Sequence, residues 1–489
     1  MATNESESYN HIRRRAKSVT RAEDIKTFEA KKRKSQPDKP CHKPRDSLFT
    51  WSSNFNNFTG FINWGFLLLF MGGIRLLLEN LLKYGIRVDP MQWFIVLTGR
   101  QEGGPEHPSI LLIIYSVVPV ILSLLIEKGL ASDIIGATLG IVAHVVNLAA
   151  LVLLPMVVIH VNASGFSLVG ATTVCSLYSI LFLKLWSYVQ VNLWCRLALQ
   201  TSSKVHLRRQ SLSVKSNLNT FNPNSEEVDL GVPLVQYPDN LNLRDLFYFI
   251  AAPTLCYELN FPRTGRIRKR FLLKRLFEVV MLCQVMMSLF QQWIVPSVKH
   301  SLIPFSNMDI VKATERLLKL AIPNHLLWLI FFYLLFHSFL NLVGELLHFA
   351  DRNFYSDWWN AKNIDVFWRS WNTPVHLWAV RHLYLPMVGL GYSKNMASIM
   401  VFFTSAFFHE YLVSVPLRTF KIWAFLGMMA QIPLAIICRK IETKYGSRWG
   451  NIIVWSSLIV GQPLCIMMYY HDYVITHFGK ALLEAYAQV

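Results

Sequence analysis

Apolar residues follow one another in long runs along this chain, without the alternation of a strand or the polar face of a soluble helix. A helix needs about 20 residues to cross the hydrocarbon core of a bilayer, and runs of that length recur between residues 59 and 470. We therefore predict an all-α, polytopic membrane protein with about nine transmembrane helices. Their approximate bounds are 59–82, 109–127, 135–159, 165–188, 273–297, 325–348, 397–416, 421–438 and 451–470.

Stretches without such runs divide the chain into four parts. Residues 1–48 are rich in Lys and Arg and poor in large apolar residues, which predicts a disordered basic cytoplasmic tail. Residues 49–188 contain the first four predicted spans, and residues 273–489 contain the other five with an aromatic, basic region between them. Residues 189–272 form a predicted cytoplasmic loop, in which the Ser- and Asn-rich linker at about 200–235 is also expected to be disordered.

The composition agrees with a membrane protein and limits the classes of partner that we expect. Hydrophobic residues make up 53% of the 489 residues and charged residues 16%, whereas ordinary globular domains carry about 25% charged residues. The 48 Lys and Arg exceed the 30 Asp and Glu, which gives a net charge of +18. In a membrane protein this excess indicates cytoplasmic loops and anionic lipid contacts, so we expect membrane lipid and no nucleic acid as a partner.

Basic runs beside the predicted spans indicate the orientation. One run precedes the fifth span with no acidic residue interspersed, and a second follows the eighth span. The positive-inside rule places both runs and the N-terminus in the cytoplasm. The seven Cys residues lack CxxC spacing, so we predict neither a metal site nor a disulfide framework. The runs are Arg263, Arg266, Arg268, Lys269, Arg270, Lys274 and Arg275, and then Arg439, Lys440, Lys444 and Arg448.

The sharpest chemical candidate is His409, within the predicted span 397–416. The sequence has no nucleophile elbow, Walker loop or dinucleotide fingerprint, and His409-Glu410 lacks the second His of a zinc-protease helix. Ionisable residues inside apolar helices mark functional positions by default, and a neutral imidazole suits proton removal from a hydroxyl. Glu410 lies about 100° around the helix, so we expect it to hold the helix or tune the field. The structural alternative is a His satisfied by a neighbouring helix.

A second group of polar residues falls on the predicted sixth span. The members are spaced by four, four and three residues, so they form one stripe on a helix. Such a stripe can line a cavity, or it can join helices through hydrogen bonds; the sequence leaves both interpretations open. The residues are His337, Asn341, Glu345 and His348.

Aromatic residues and cations are concentrated between the sixth and seventh spans. Trp and Tyr are typical of the membrane interface, so amphipathic interfacial helices are one interpretation. Aromatic rings for a base or acyl chain, with cations for phosphates, also suit a large anionic ligand such as a coenzyme A thioester. The region begins with Phe354-Tyr-Ser-Asp-Trp-Trp-Asn360 and continues through Trp371, Asn372, His376, Arg381, Tyr384 and Lys394.

These residues resemble the signature of the membrane-bound O-acyltransferase family. The segment from Phe354 to Asn360 matches the family's FYxDWWN motif, while Asn372 and His409 fall at its paired Asn and His positions. The resemblance extends from about residue 48 almost to the C-terminus. Five further stretches are similar to the branch that acylates diacylglycerol: 237–241, 252–263, 266–271, 315–325 and 405–418.

The resemblance implies an endoplasmic-reticulum enzyme with helices around an intramembrane reaction chamber. Such an enzyme transfers a fatty acyl group from acyl-CoA to the free hydroxyl of diacylglycerol, making triacylglycerol and free CoA. It implies no cofactor, because acyl-CoA is a substrate, and it implies a homodimer or homotetramer assembled partly through the N-terminal region.

The family pattern also implies roles for individual residues. His409 corresponds to the catalytic base, with Asn372, Glu410 and Gln462 near the thioester. The same chamber is expected to be lined by His376, Ser405 and Gln431. The motif and its surroundings are expected to bind acyl-CoA, through Phe354, Tyr355, Asp357, Trp358, Trp359, Asn360, Trp371, Arg381, Tyr384 and Lys394.

Three other interpretations stay open on sequence alone. A sterol O-acyltransferase shares the motif and the His-Glu pair, and a long-chain alcohol or retinol is a possible additional acceptor. A lipid transporter or scramblase explains many spans, yet it does not explain an intramembrane His combined with an aromatic, basic motif. A non-catalytic scaffold would require lost chemistry, although His409 and Asn372 are both present.

Overall fold

The computed structural model describes residues 59–91, 108–162, 165–202, 234–307 and 309–487. The predicted basic tail and most of the predicted linker lie outside these ranges. All regular elements in the described ranges are helices, which confirms the all-α prediction. The α-helices are α1 (Thr59–Tyr84), α2 (Pro108–Tyr115), α3 (Val117–Ala131), α4 (Ala137–Val161), α5 (Leu168–Ser202), α6 (Leu243–Ala251), α7 (Lys269–Leu289), α8 (Val295–Lys299), α9 (Leu302–Ser306), α10 (Ile310–Phe332), α11 (Leu340–Leu346), α12 (Ile364–Trp371), α13 (Thr373–Ala379), α14 (Leu385–Gly389), α15 (Lys394–Leu417), α16 (Trp423–Met429), α17 (Gln431–Tyr445) and α18 (Ser447–Ala487).

Eight helical stretches within the described ranges are long and apolar enough to cross a membrane. Their apolar side chains are exposed in large numbers, as expected where lipid replaces water as the solvent. The stretches are Asn63–Tyr84, Pro108–Ala131, Ala137–Val161, Leu168–Leu199, Ile310–Leu346, Lys394–Leu417, Trp423–Tyr445 and Ser447–His477.

The remaining predicted span, 273–297, is helical but is not among these eight. Its helix α7 begins at Lys269, and charged residues continue as far as Glu278. The apolar part is therefore shorter than the helix itself. Two other spans are longer than predicted, because α5 continues to Ser202 and α18 continues well beyond residue 470. The prediction of about nine spans was thus close in number and less accurate at the boundaries.

Three helices are interrupted by π-helical turns, which often mark functional positions. These turns are Phe290–Ile294 between α7 and α8, Tyr333–Phe339 between α10 and α11, and Val380–Tyr384 between α13 and α14. The second contains His337 and the third contains His382. Each turn changes the direction in which the following side chains project from an otherwise continuous helix.

Three hydrophobic clusters lie within the described residues, and the smallest joins α8, α10 and α18. The first packs α3, α4 and α5 against the segment 237–261, with Tyr178, Tyr188 and Tyr257 almost fully buried. The second surrounds Trp358 and joins α10, α12, α17 and α18. The second cluster places the FYxDWWN motif among the helices of the C-terminal half.

Candidate active site

Helix α15 presents His409 on the side opposite its exposed phenylalanines. The helix begins where Ser393 Oγ accepts a hydrogen bond from the Met396 N–H at 3.2 Å. Phe403 and Phe407 are 46% and 43% exposed. At about 100° per residue, His409 projects roughly 160° from Phe407 and 120° from Phe403. The imidazole is nevertheless exposed, so it borders open space on a face away from those two rings.

A backbone hydrogen bond fixes the tautomer of His409. Its Nδ1 lies 2.7 Å from the carbonyl oxygen of Ser405, and Ser405 Oγ is 3.5 Å from the same nitrogen. A carbonyl oxygen only accepts, so Nδ1 carries the proton in the neutral ring and Nε2 holds the free lone pair. Within the described residues, Nε2 has no hydrogen-bond partner. In its neutral form, His409 therefore has an available basic nitrogen, Nε2.

Glu410 faces different helices from His409. Its carboxylate accepts the Phe425 N–H at 2.9 Å, the Tyr469 hydroxyl at 2.6 and 2.7 Å, and the hydroxyl of Ser414. Tyr469 Oη in turn accepts the Ala424 N–H at 3.0 Å. Helix α16 has no side-chain cap of its own, so α15 and α18 supply the acceptors for its first N–H groups. The described contacts join Glu410 to α16 and α18, in line with the predicted holding role.

Asn372 lies at the junction of α12 and α13. Its Oδ1 accepts the Val375 N–H at 3.2 Å and so caps α13. This bond uses the acceptor half of the carboxamide, while Nδ2 has no partner within the described residues. His376 follows one turn later and is half-buried. Burial, with a smaller effect of Arg369, lowers the pKa of His376 below its usual value, so its ring is neutral at pH 7.

Gln462 is held in the same half-bonded way. Its Oε1 accepts from Nδ2 of the buried Asn324 at 3.3 Å, which joins α18 to α10. Nε2 of Gln462 has no partner within the described residues. Both amides therefore keep a free N–H donor, whereas His409 keeps a free acceptor at Nε2. The described hydrogen bonds do not connect these three side chains with one another.

The FYxDWWN motif is a loop that ends in a single 3₁₀ turn, Trp358–Asn360. Phe354 and Trp358 are buried in the core, only 2% and 3% exposed. Trp358 packs edge-on against Trp328 and Trp371 at ring distances of 5.2 and 5.7 Å. The exposed members of the motif, with Ser356, are Asp357, Trp359 and Asn360.

The other predicted binding residues differ in whether their side chains are engaged in contacts or exposed. Arg381 donates to the Tyr257 carbonyl at 3.0 Å and lies 3.8 Å from Glu258, so it holds the segment before α7. Trp371 stacks on Trp328 with centroids 4.7 Å apart. The remaining residues are exposed or half-exposed: Tyr384 in a π-helical turn, Lys394 and Ser405 on α15, and Gln431 at the start of α17.

The polar stripe of the sixth predicted span joins helices and loops. His337 Nδ1 bonds the Tyr355 hydroxyl at 2.8 Å, and His348 Nδ1 bonds the Thr264 carbonyl at 2.9 Å. Glu345, 1% exposed, accepts from both Arg268 and Arg352. Of the two interpretations, the contacts favour hydrogen bonding between segments over the lining of a cavity.

Two buried polar clusters were not singled out from the sequence. Lys184 Nζ donates to the carbonyls of Phe249, Ile250 and Ala252 at 2.9, 2.9 and 2.7 Å, so it caps the end of α6. Glu127 is fully buried between His144, at 3.0 Å, and Arg196, at 2.7 Å. Both clusters contain ionisable residues within predicted spans, and that signal could have identified them.

Comparisons with known proteins identify clear relatives. The model of the MBOAT, membrane-bound O-acyltransferase family, matches residues 143–471. Diacylglycerol O-acyltransferase 1 of Bos taurus is 48% identical over 438 residues, which cover 90% of this chain and 86% of the bovine protein. The protein of that name from Homo sapiens is 46% identical over 91% of this chain and 86% of its own length. Diacylglycerol O-acyltransferase 1A of Glycine max is 34% identical over 89% and 83%.

Proposed function

The chain belongs to the membrane-bound O-acyltransferase family, and from this premise we propose that it transfers a fatty acyl group from acyl-CoA to diacylglycerol. The products are triacylglycerol and free CoA. The observation that carries this proposal is the sequence identity of 46–48% to diacylglycerol O-acyltransferases over about 90% of the chain. The family model matches residues 143–471, a range that includes the motif, the Asn372 junction and helix α15.

His409 serves as the general base in this proposal. Its Nε2 takes the proton of the diacylglycerol hydroxyl as the hydroxyl oxygen attacks the thioester carbonyl carbon. The C–S bond then breaks, and the proton passes from Nε2 to the departing CoA sulfur. A positioned base of this kind contributes about 10²- to 10⁴-fold in rate. The hydrogen bond from Nδ1 to the Ser405 carbonyl supports the role, because it keeps the lone pair on Nε2.

Asn372 and Gln462 stabilise the charge that forms on the carbonyl oxygen. Each amide has its oxygen engaged, by the Val375 N–H and by Asn324 respectively, and each keeps an N–H donor. Losing one such donor commonly costs about 10²- to 10³-fold in rate. Because proton transfer and oxyanion stabilisation suffice for acyl transfer, the proposal requires no covalent acyl-enzyme.

The exposed part of the motif is our candidate contact for acyl-CoA. Asp357, Trp359 and Asn360 are exposed, and so is Lys394 at the start of α15. The buried members, Phe354 and Trp358, act indirectly by fixing the loop. Soluble CoA then reaches the chamber from the cytoplasmic side, while diacylglycerol enters laterally from the bilayer. The proposal places the enzyme in the endoplasmic reticulum with a cytoplasmic N-terminus, as a homodimer or homotetramer.

The test is an assay of purified protein in detergent with oleoyl-CoA and either diacylglycerol or cholesterol. Free CoA and the neutral lipid product are both measured. Triacylglycerol formation with diacylglycerol, and little ester with cholesterol, is the expected result. Cholesteryl ester as the main product would move the protein to the sterol-acylating branch. CoA release that is independent of either acceptor would contradict acyl transfer.

A further inference from the structure

A basic cavity lies where the segment before α7 meets the loop after α11. It has a volume of about 410 Å³ and is lined by Thr264, Gly265, Arg266, Arg268, Ala350 and Arg352. The cavity does not include His409 or any residue of the FYxDWWN motif. We propose that this cavity binds the phosphate of an anionic glycerophospholipid, whose acyl chains lie along the exposed apolar face of α7.

The walls of the cavity are fixed by backbone and side-chain bonds. The Thr264 N–H donates to the His348 carbonyl at 2.8 Å, and the Ala350 N–H donates to the Pro262 carbonyl at 3.0 Å. These bonds flank a single antiparallel bridge between Arg263 and Phe349. The two segments therefore form a short, defined frame, and the space between them is part of the fold.

Glu345 orients two of the guanidinium groups at this frame. Its oxygens accept the Arg268 backbone N–H at 2.6 Å, the Arg268 guanidinium at 3.1 and 2.8 Å, and the Arg352 guanidinium at 3.0 Å. One carboxylate thus faces two guanidinium groups, so one positive charge stays uncompensated. Arg268 is 55% exposed in its side chain, which leaves its outer N–H groups available to a ligand.

Arg266, which lines the cavity, and two neighbouring cations have no described partner. Arg266, Lys269 and Arg270 are exposed and make no hydrogen bond or ion pair with the described residues. The sequence has no acidic residue between Glu258 and Glu278. Clusters of Lys and Arg beside an apolar helix favour anionic headgroups, through charge that acts within a Debye length of the surface.

The apolar surface beyond these cations favours a lipid over a soluble phosphate. Lys269, Leu273, Leu276 and Val280 share one face of α7, because they are separated by four, three and four residues. Leu273, Leu276 and Val280 are 65%, 47% and 49% exposed. A phospholipid covers this surface with its chains while its phosphate contacts the basic turn. A soluble nucleotide phosphate has no acyl chains with which to cover this surface.

Gly265 keeps the cavity open. A Cβ atom at this position meets nothing within 4 Å, so a larger side chain fits the fold and occupies the space. The substitution Gly265→Phe therefore adds a bulky ring at the wall of the cavity and leaves every charge in place. It separates a shaped site from a general attraction between basic residues and an anionic surface.

The experiment uses the full-length protein in phosphatidylcholine nanodiscs that contain a small fraction of photoactivatable phosphatidate. Labelled peptides are identified by mass spectrometry. We expect labelling of α7 and the loop after α11 in the wild type, and competition by unlabelled phosphatidate. The triple variant Arg266→Gln, Lys269→Gln, Arg270→Gln should lose about tenfold or more of this labelling, and Gly265→Phe should lose a similar share.

A matched control removes three exposed cations elsewhere. Lys440→Gln, Lys444→Gln, Arg448→Gln lies at the turn between α17 and α18, where the same charge is lost without this cavity. Labelling within twofold of wild type is expected for this control. Equal losses in both triple variants, or full labelling in Gly265→Phe, would overturn the proposal in favour of diffuse attraction.

The acyl-CoA dependence distinguishes the lipid from CoA as the occupant. In nanodiscs of phosphatidylcholine alone, both cavity variants should keep the wild-type KM for acyl-CoA, and this activity also reports that the variants are folded. A KM raised several-fold by the cavity variants alone, with phosphatidate labelling competed by free CoA, would assign the cavity to CoA phosphates and overturn the proposal.

Discussion

His382 and His409 lie on nearby parts of the chain and differ in what their ring nitrogens can do. His382 is 1% exposed, and both nitrogens are engaged, by Ser187 Oγ at 2.8 Å and Gln190 Oε1 at 2.7 Å. Burial, assisted by Arg381, lowers the pKa of His382 to about 3. His409 has a bond at Nδ1 only. Full hydrogen bonding thus marks a structural histidine, and a free basic nitrogen marks the candidate for chemistry.

Carboxylates and amides in the C-terminal half differ in the same way, namely in whether they keep a hydrogen-bonding group without a partner. Glu345 and Glu410 each bind several donors from neighbouring segments. Asn372 and Gln462 each have one engaged oxygen and a free N–H group. Buried polar groups are normally satisfied, so an amide that keeps a free donor is a stronger functional signal than an intramembrane charge alone.

After His409→Ala, the largest effect on turnover is expected from Asn372→Asp. Asp keeps the oxygen that caps α13 and loses the amide donor, so kcat should fall about 10²- to 10³-fold with unchanged thermal stability. Asn372→Ala should also lose the cap, at a cost of about 1 kcal/mol in unfolding free energy. Steady-state kinetics and thermal melting in detergent measure the two quantities. Full activity in the Asp variant would show that the donor is not used.

Glu345→Gln should lower the stability and leave kcat unchanged, which is the opposite of Asn372→Asp. It removes the charge that holds Arg268 and Arg352, and breaking a buried ion pair costs about 3–5 kcal/mol. We expect the lower end, because Arg268 is half exposed. The kcat of the folded fraction should stay unchanged. Glu315→Gln is the control, since the Glu315–Lys319 pair is exposed at both ends and should contribute little. A large fall in kcat without loss of stability would contradict the structural role.

Tyr469→Phe tests the bonds that Glu410 makes. The change removes the hydroxyl that donates to Glu410 and accepts the Ala424 N–H. A hydrogen bond to a charged group contributes about 1.5–3 kcal/mol, so stability should fall by about 2 kcal/mol and kcat several-fold as α15 loses its orientation. Tyr445→Phe, at an exposed position, serves as the control. Unchanged stability in Tyr469→Phe would show that these hydrogen bonds of Tyr469 do not stabilise the fold.

The remaining prediction concerns pH. The pKa of His382 is lowered from 6.5 to about 3, so below pH 6.5 the unfolded chain binds a proton that the folded chain does not. Stability from this residue is complete above that pH and is lost as the pH falls towards 3, by at most about 1.4 kcal/mol per pH unit. Melting temperatures from pH 7 downwards should decline less steeply in His382→Gln. An equal slope in both proteins would contradict a neutral, buried His382.

The sequence predicted the helical membrane fold because long apolar runs have few other solutions in a bilayer. It also identified His409, since an ionisable residue is conspicuous within an apolar run. The prediction for 273–297 was less accurate, because the charges at the start of α7 shorten its apolar part. Helix ends such as that of α5 depend on packing against other segments, which periodicity does not report.

Other features of the site depend on contacts between distant segments. Phe354 and Trp358 look like ligand contacts in sequence, yet both are buried, and Trp358 packs in the cluster that joins α10, α12, α17 and α18. The cap of α16 comes from Glu410 and Tyr469, which lie on two other helices. Likewise, the engaged and free halves of Asn372 and Gln462 follow from single hydrogen bonds that no spacing rule encodes.

The most direct test of the central claim is the turnover of His409→Ala, with His382→Gln assayed beside it. Purified proteins receive oleoyl-CoA and diacylglycerol, and triacylglycerol and free CoA are measured together with thermal stability. We expect kcat to fall about 10²- to 10⁴-fold in His409→Ala while the fold stays intact. We expect His382→Gln to lose stability while its folded fraction stays active. Undiminished turnover in His409→Ala would contradict the account, because the free nitrogen would then have no part in the chemistry.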